Sequence, residues 1–260
     1  MTNQWTNVSS LSGKRGSLGL AVLRGKIYAL SGSNGGSHFT TVEIYDPASD
    51  SWSAGPGLSV GKSEPAAVSV GDRLYLIGGN LQSDSRTSEV ICLNPDTNQW
   101  SNKASMNFAR SNIQATVLNG KIYVVGGWSG STAMAKAEVY DPVANAWTNL
   151  PDMSVARNKA AVFAAHGKIY AAGGRGVGSS IYHSSVEVYD PVTNQWSIAS
   201  NLPEPLTSTA AALIDGKVYV VGGTTAYLTY SKSVFAADIT PAMHLYFKDG
   251  NATAEAATAP

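Results

Sequence analysis

Five tryptophans recur at a nearly constant interval, and this period constrains the fold more than any other feature of the chain. They are Trp5, Trp52, Trp100, Trp147 and Trp196, and the successive steps are 47, 48, 47 and 49 residues. Self-similarity at a period of about 40–50 residues is typical of repeat architectures such as β-propellers. The 260 residues are therefore expected to contain five copies of one structural unit.

Each unit carries four short strand signals separated by turn signals. One apolar strand ends at a pair of small residues in every unit: Ser31-Gly32, Gly78-Gly79, Gly126-Gly127, Gly173-Gly174 and Gly222-Gly223. Dipeptides such as Asn119-Gly120 precede that strand, and they tolerate the positive φ of a two-residue hairpin. An Asp-Pro step before the Trp predicts a looser hairpin. Since no segment shows sustained helical periodicity, each unit is interpreted as a propeller blade.

The third copy displays the motif most completely. Residues 120–127 read Gly-Lys-Ile-Tyr-Val-Val-Gly-Gly, residues 137–142 read Ala-Glu-Val-Tyr-Asp-Pro, and residues 145–147 read Asn-Ala-Trp. This pattern resembles the Kelch repeat, and the resemblance extends from residue 2 to about residue 240. It implies an all-β Kelch-type propeller of four-stranded antiparallel blades over residues 1–242, here with five blades where six or seven are usual. Residues 243–260 are predicted to form a C-terminal extension or flexible tail.

The two ends of the chain complement each other. Thr2–Trp5 matches Thr97–Trp100 and Thr193–Trp196, which begin a fourth strand, whereas the fifth copy stops after its third strand at Ile239. We therefore predict that the N-terminal strand closes the last blade of a monomer. The alternatives are a six-bladed ring that uses the tail as extra strands, and a ring that closes by dimerisation.

A basic residue stands ten positions before the second hairpin residue in four of the five units. The four are Arg15, Lys62, Arg110 and Arg157, and Leu206 interrupts the series. The Kelch resemblance implies that arginines at this position line the mouth of the central channel. Converging guanidinium groups there would favour a carboxylate or phosphate ligand. The alternative is that each side chain hydrogen-bonds loop carbonyls of its own blade.

A second candidate set follows the small-residue pairs directly. It comprises Ser33, Asn80, Trp128, Arg175 and Thr224. Variation at one fixed position of a repeat marks release from architectural constraint, so a function can be encoded there. Trp128 is the one tryptophan outside the periodic series; it could stack on a sugar, anchor a peptide or fold onto its own loop. The same loops contain His38, Tyr182, His183 and Tyr227.

Two other sets are interpreted as architecture. Glu43, Glu138 and Glu187 recur in identical phase, whereas a catalytic acid normally occurs once. Cys92 replaces an aliphatic residue of a third strand, so we expect a buried, unreactive thiol. With one cysteine and no ligand spacing among the four histidines, neither a metal nor a cofactor is predicted.

Charge and hydropathy narrow the classes of partner. Eighteen basic and eighteen acidic side chains cancel, so no global field attracts nucleic acid or an anionic membrane. No apolar run approaches the roughly 18 residues of a membrane helix. No signal peptide is visible at the N-terminus, and both cytoplasmic and exported locations stay open.

Three functions are compatible with the sequence. The first is a non-catalytic scaffold that binds an acidic peptide, a protein loop or a glycan at the channel mouth. The second is a small-molecule enzyme at the same mouth, such as a sugar epimerase, mutarotase or lyase; the resemblance suggests it because bacterial Kelch proteins that equilibrate sialic acid anomers use Arg and a carboxylate there. The third is a structural or engineered repeat protein without a selected ligand.

Overall fold

All regular structure in the described part of the chain is β. The computed structural model describes residues 6–178, 181–227 and 229–239. Within these residues there are 23 strands and no helix, and hence no helix that could cross a membrane. The predicted fourth strand at Thr2–Trp5 and the predicted tail at 243–260 lie outside the described residues.

The strands are grouped into five sequential blades. Blade one contains β1 (Gly19–Leu23), β2 (Lys26–Leu30), β3 (Val42–Asp46) and β4 (Ser51–Ala54). Blade two contains β5 (Lys62–Ser63), β6 (Ala66–Val70), β7 (Arg73–Ile77), β8 (Asn80–Leu81), β9 (Val90–Asn94) and β10 (Gln99–Lys103). Blade three contains β11 (Gln114–Leu118), β12 (Lys121–Val125), β13 (Ala137–Asp141) and β14 (Ala146–Asn149). Blade four contains β15 (Ala161–Ala165), β16 (Lys168–Ala172), β17 (Val186–Asp190) and β18 (Gln195–Ile198). Blade five contains β19 (Ala210–Ile214), β20 (Lys217–Val221), β21 (Thr224–Ala226), β22 (Thr229–Tyr230) and β23 (Val234–Asp238).

The prediction of a five-bladed Kelch-type propeller is confirmed. Blades one to four each contain a four-stranded antiparallel sheet, and the described part of blade five contains the three-stranded sheet β19-β20-β23. The short pairs β5-β8 and β21-β22 are separate from these sheets. The first two strands of a blade are joined by the predicted tight hairpin. In blade three its central residues, Asn119 and Gly120, have φ values of 51° and 74°. Positive φ at both central residues is what the type I′ turn of a two-residue hairpin requires.

The periodic tryptophans attach each fourth strand to the chain that enters its blade. Trp147 donates a hydrogen bond from Nε1 to the carbonyl of Ala104 at 2.8 Å, and its ring lies 5.1 Å from that of Tyr140. Tyr140 in turn donates its hydroxyl to Asn145 Oδ1 at 2.7 Å. Equivalent tryptophan bonds occur at Trp52, Trp100 and Trp196. The spacing of the tryptophans in the sequence is thus the spacing of this hydrogen bond in the structure.

Hydrophobic residues pack between consecutive blades. Four separate clusters lie between blades one and two, two and three, three and four, and four and five. Ala29, Leu76, Val124 and Ala171, one on the second strand of each of the first four blades, are completely buried. Among the described residues no cluster joins blade five to blade one.

Five loops meet at the central channel, each through one residue with positive φ. A chain of backbone hydrogen bonds connects them, from Glu64 N to Ser17 O, Asn112 N to Glu64 O, Lys159 N to Asn112 O, and Ser208 N to Lys159 O, at 2.7–3.1 Å. These five residues, Ser17, Glu64, Asn112, Lys159 and Ser208, are called the channel loops' tip residues below.

Candidate functional site

The repeated basic residues lie beneath the channel mouth, inside the blades. Arg110 is completely buried, and its Nη2 lies 2.5 Å from Glu138 Oε2. Its Nη1 donates to the carbonyls of Gly126 and Lys136, both at 2.9 Å. Glu138 also accepts the backbone N–H of Asn107 at 2.7 Å. The pair therefore joins the loop before a blade to the second and third strands of that blade.

Blades one, two and four contain the same kind of pair. Arg157 donates to Glu187 Oε1 at 2.8 Å and to the carbonyl of Gly173 at 2.6 Å. Arg15 pairs with Glu43 and the buried Lys62 with Glu89. The predicted structural role of Glu43, Glu138 and Glu187 is confirmed.

Blade five replaces the ion pair with an apolar pair. Leu206 occupies the basic position, and Phe235 occupies the position of the glutamate on the third strand; both are buried in the cluster between blades four and five. Removing a cation and its carboxylate together leaves no unpaired charge in the interior. The replacement of the basic residue by Leu206 is thus matched by the replacement of the glutamate by Phe235 on the third strand.

Burial lowers the pKa of two of these arginines, Arg110 and Arg157. Loss of solvent lowers the pKa of the Arg110 guanidinium to about 10, while the carboxylate of Glu138 opposes that shift. Burial likewise lowers the pKa of Arg157, against the charge of Glu187. Both guanidinium groups are committed to their glutamates. A ligand role for Arg15, Lys62, Arg110 and Arg157 stays a prediction, and their burial argues against it.

The second predicted set occupies one equivalent place in every blade. Ser33, Trp128, Arg175 and Thr224 form isolated bridges with the residue that follows the basic position, or with its equivalent in blade five. Asn80 pairs with Ser63 in the same way, within the short ladder of β5 and β8. The positions that vary between repeats therefore form a layer above the buried pairs.

Three of these five side chains converge on one cavity at the channel mouth. Asn80, Trp128 and Arg175 line a space of about 520 Å³ on the side of blades two, three and four. Ser33 and Thr224 are not among its lining residues. The cavity is also lined by the tip residues Glu64, Asn112 and Lys159, and by Arg86 and Asp84 from the loop after β8. We call this space the mouth cavity.

The carboxylate of Glu64, one of the two that line the mouth cavity, lies among polar groups. It accepts hydrogen bonds from Asn112 Nδ2 at 2.6 Å and Ser111 Oγ at 3.0 Å. Lys159 Nζ lies 3.9 Å from its other oxygen. These contacts fix the carboxylate between blades two, three and four.

The rim of the mouth cavity combines cationic and aromatic side chains. Arg86 donates to Asp84 Oδ1 at 3.1 Å, and Asn80 Nδ2 donates to the same oxygen, also at 3.1 Å. The Arg175 guanidinium lies 6.0 Å from the centre of the Tyr182 ring, within the range of a cation–π contact. Trp128 is half-buried. Three cations therefore face two carboxylates around one aromatic surface.

Of the remaining candidate loop residues, Tyr182 contacts Arg175 and the other three do not line the mouth cavity. Burial lowers the pKa of His183, Tyr227 is largely exposed, and the backbone N–H of His38 donates to Gln82 Oε1 at 2.8 Å. Cys92 is buried, as predicted, and desolvation raises the pKa of its thiol.

The tip residues Glu64, Asn112 and Lys159 were not predicted as site residues, although the repeat contains the signal for them. They stand two residues after the basic position, and this slot reads Ser, Glu, Asn, Lys and Ser across the five copies. It varies as strongly as the slot that led to Trp128. Within the described residues no group of three His, Cys, Asp or Glu side chains could hold a metal ion.

Comparison with solved structures supports the fold. The chain superposes on a protein described as YjhT with a TM-score of 0.85, over 95% of this chain and 88% of that one, at 14% sequence identity.

Curated relatives match shorter stretches. Mouse Kelch-like protein 35 is 34% identical over 99 residues, which is 38% of this chain and 17% of that protein. The human protein of the same name is 35% identical over 88 residues, 34% of this chain and 15% of that protein. An F-box/kelch-repeat protein of Arabidopsis thaliana, At4g39550, is 29% identical over 87 residues, 34% of this chain and 22% of that protein. The chain thus spans less than a quarter of the length of these relatives.

Two family models match the chain itself. The Kelch motif matches residues 14–59. The KLHDC2/KLHL20/DRC7 Kelch-repeats domain matches residues 58–223, which is more than half of the chain. With five blades, buried basic–glutamate pairs and periodic tryptophan ties in place, the chain belongs to the Kelch-repeat family.

Proposed function

We propose that this Kelch propeller is a non-catalytic binding module that takes a segment of a partner protein into the mouth cavity. The observation that supports it most is the convergence of Asn80, Trp128 and Arg175, from three different blades, on one cavity. The Kelch propellers of Kelch-like proteins typically bind proteins, which favours a protein partner.

The chemistry of the rim favours an acidic segment. Arg86, Lys159 and Arg175 outnumber the two carboxylates of the cavity, Glu64 and Asp84. A guanidinium can hold a carboxylate through two parallel hydrogen bonds, and a half-buried tryptophan offers a large apolar surface at small conformational cost. A peptide that carries an acidic side chain next to an apolar one would use both.

The test compares equivalent positions inside and outside the cavity. Purified protein is screened on an array of acidic and matched neutral peptides, and the affinity of the best peptide is measured for Trp128→Ala with Arg175→Ala. We expect a loss of about 30-fold or more, since truncation of a central aromatic or arginine typically costs at least 2 kcal/mol. The matched control is Ser33→Ala with Thr224→Ala, which changes the same repeat position outside the cavity.

Two outcomes would contradict the proposal. Either the control pair weakens binding as much as the cavity pair, or the cavity pair leaves the affinity unchanged. Raising the salt concentration should weaken binding to the acidic peptide, because exposed charges are screened over about 8 Å at physiological ionic strength.

A second candidate is supported by Glu64. Glu64 is a partly buried carboxylate close to Lys159. This arrangement is expected if the cavity acted on a small acidic sugar as an epimerase, mutarotase or lyase. The hydrogen bonds from Ser111 and Asn112 give Glu64 a structural role, which makes binding the preferred proposal. The Glu64→Gln variant distinguishes the two proposals. If the cavity is an active site, the variant should abolish the exchange of anomers of an acidic sugar, which is measured by NMR. Its affinity for the peptide should stay within about threefold of that of the unmodified protein.

A further inference from the structure

Asp84 holds two polar side chains of the mouth cavity, those of Asn80 and Arg86. Its Oδ1 accepts hydrogen bonds from Asn80 Nδ2 and from Arg86 Nη1, each at 3.1 Å. Arg86 Nη1 also donates to the backbone carbonyl of Asp84. Within the described residues, every side-chain hydrogen bond of Arg86 therefore goes to one residue of its own loop.

These contacts leave two polar atoms of the cavity without a partner. Arg86 Nε and Asn80 Oδ1 are both buried, and neither has a hydrogen-bond partner among the described residues. A carboxylate accepts only from an N–H or O–H, so Nδ2 faces Asp84 and Oδ1 is left as an acceptor. Because unpaired buried donors and acceptors are destabilising, this place favours a ligand that supplies one acceptor and one donor.

The backbone places Asn80 and Arg86 side by side. The two residues form an antiparallel bridge, and residues directly opposite each other in such a bridge direct their side chains to the same face. Arg86 lies against Gly130 of blade three, where a Cβ atom would stand 3.4 Å from Arg86 Cδ and 3.5 Å from Nη1. The Arg86 side chain is 14% exposed, so the guanidinium group is confined to the wall of the mouth cavity between blades two and three.

Asp84 is held much less firmly than the arginine that it pairs with. Its side chain is 80% exposed, and it stands in a turn in which Asp84 N donates to the carbonyl of Leu81 at 2.9 Å. Ion pairs that involve exposed side chains are weak, since water competes for the charge. Solvent can therefore take the carboxylate of Asp84 in place of Arg86 at small cost.

The pair of Asp84 and Arg86 is peculiar to blade two. Asp84 is the one acidic residue in the five sequence segments that follow the small-residue pairs, which are residues 33–38, 80–86, 128–133, 175–182 and 224–230. The position of Arg86 holds different residues in the equivalent bridges of the other blades: His38, Ala133 and Tyr182. Blade architecture therefore requires neither the carboxylate nor the guanidinium group, and both belong to the variable layer at the mouth.

We propose that Asn80 and Arg86 form the subsite of the mouth cavity that binds a carboxylate of the ligand, and that Asp84 occupies this subsite in the free protein. The inference rests on the proposed binding function and names its specificity. An acidic side chain of a bound peptide displaces Asp84 and accepts two parallel hydrogen bonds from Nε and Nη2 of Arg86. A backbone N–H of the same peptide donates to Asn80 Oδ1.

The internal carboxylate makes the subsite selective. A neutral peptide offers Arg86 no charge and leaves it paired with Asp84, whereas an acidic peptide replaces one carboxylate by another. Competition from Asp84 lowers the affinity for the acidic peptide by the fraction of molecules in which the subsite is occupied. Asp84 thus exchanges some affinity for discrimination against ligands without a carboxylate.

The first test removes the competing charge. The variant Asp84→Asn keeps the size of the side chain, and asparagine tolerates the positive φ of 60° at this position. Its affinity for the best acidic peptide of the array should rise about threefold to fivefold, as expected when a weak ion pair no longer competes. Its affinity for a copy of that peptide with Asn and Gln in place of Asp and Glu should stay unchanged.

The matched control separates competition from a general change in charge. Asp152→Asn removes an equally negative, exposed carboxylate that pairs with Lys136 outside the mouth cavity, and it should leave both affinities unchanged. The decisive variant combines Asp84→Asn with Arg86→Ala. If Asp84 acts through Arg86, the gain seen with Asp84→Asn alone should disappear in the Arg86→Ala background.

A second measurement does not depend on any peptide. The Nε–H signal of Arg86 is followed by NMR in protein labelled with ¹⁵N-arginine, is assigned by its loss in Arg86→Ala, and is titrated with inorganic phosphate. Phosphate should shift this signal at about threefold to fivefold lower concentration in Asp84→Asn than in the unmodified protein. This result would support the subsite even if no array peptide bound and the proposed function failed.

Three results would overturn the inference. A gain in peptide affinity that persists in the Arg86→Ala background would mean that Asp84 acts through space on the whole cavity. A gain of equal size in Asp152→Asn would assign the effect to net charge. An Arg86 Nε–H signal that responds to phosphate equally with and without the Asp84 carboxylate would mean that Asp84 does not occupy the subsite, whatever the array shows.

Discussion

Three consecutive residues of one loop, Arg110, Ser111 and Asn112, belong to two regions with opposite properties. Arg110 is sealed in the buried pair with Glu138, and Asn112 reaches the mouth cavity; Ser111 lies between them and bridges to Trp128. The lower region repeats from blade to blade, whereas the upper one differs in each. The comparison teaches that a cationic side chain near a channel is not by itself a ligand-binding group; its burial and its partner decide.

The largest effect should come from breaking a buried pair. Glu138→Ala leaves the Arg110 guanidinium without its carboxylate and the N–H of Asn107 without its acceptor. We expect a loss of about 3–5 kcal/mol in the free energy of unfolding, measured by urea titration. A variant that kept its stability but lost ligand affinity would instead place Arg110 in the mouth.

Blade five suggests how to remove the charges at less cost. Arg110→Leu combined with Glu138→Phe transplants the Leu206 and Phe235 pair into blade three. Because no unpaired charge is left behind, the double variant should lose at least about 2 kcal/mol less than Glu138→Ala does. Urea titration of the double variant and of Arg110→Leu and Glu138→Phe alone gives the interaction energy. A double variant as unstable as Glu138→Ala would show that the ion pair has a role which packing cannot replace.

Substitutions in the upper region, which lines the mouth cavity, should change ligand affinity and leave the free energy of unfolding nearly unchanged. Lys159→Ala removes a partly exposed cation from the mouth cavity, so we expect the free energy of unfolding to change by no more than about 0.5 kcal/mol. Its affinity for the acidic peptide should fall about threefold to tenfold, with a weaker dependence on salt. Lys168→Ala, which removes a similarly exposed lysine paired with Asp190, is the matched control and should leave affinity unchanged.

These contrasts were only partly visible in the sequence. The fold could be predicted because the tryptophan ties, the hairpin turns and the small-residue pairs recur with the same spacing in five copies. The convergence of Trp128, Arg175 and Asn80 could be predicted from their shared slot, but the depth of Arg110 could not. That depth depends on the path of the loop, which turns through a positive φ at Asn112 and so separates neighbouring residues into different layers.

The smallest effect concerns His183, which belongs to the same loop as Tyr182. Burial lowers its pKa below 6.5, so the unfolded chain binds a proton more readily than the folded one. Stability should therefore fall as the pH drops below about 6.5, down to the folded pKa, and the unfolding midpoint should move by no more than a few degrees. His183→Gln should flatten this part of the pH profile of thermal unfolding; an unchanged slope would assign it to other groups.

The distribution of the four clusters between the blades also sets the order in which the molecule unfolds. Blades two, three and four each have two neighbours, whereas blades one and five each have one among the described residues. Such a molecule behaves as a linear array whose ends fray before its middle. Amide hydrogens of β12 and β16 should accordingly exchange with solvent most slowly and those of β20 earliest, so the mouth cavity on blades two to four occupies the most persistent part of the protein.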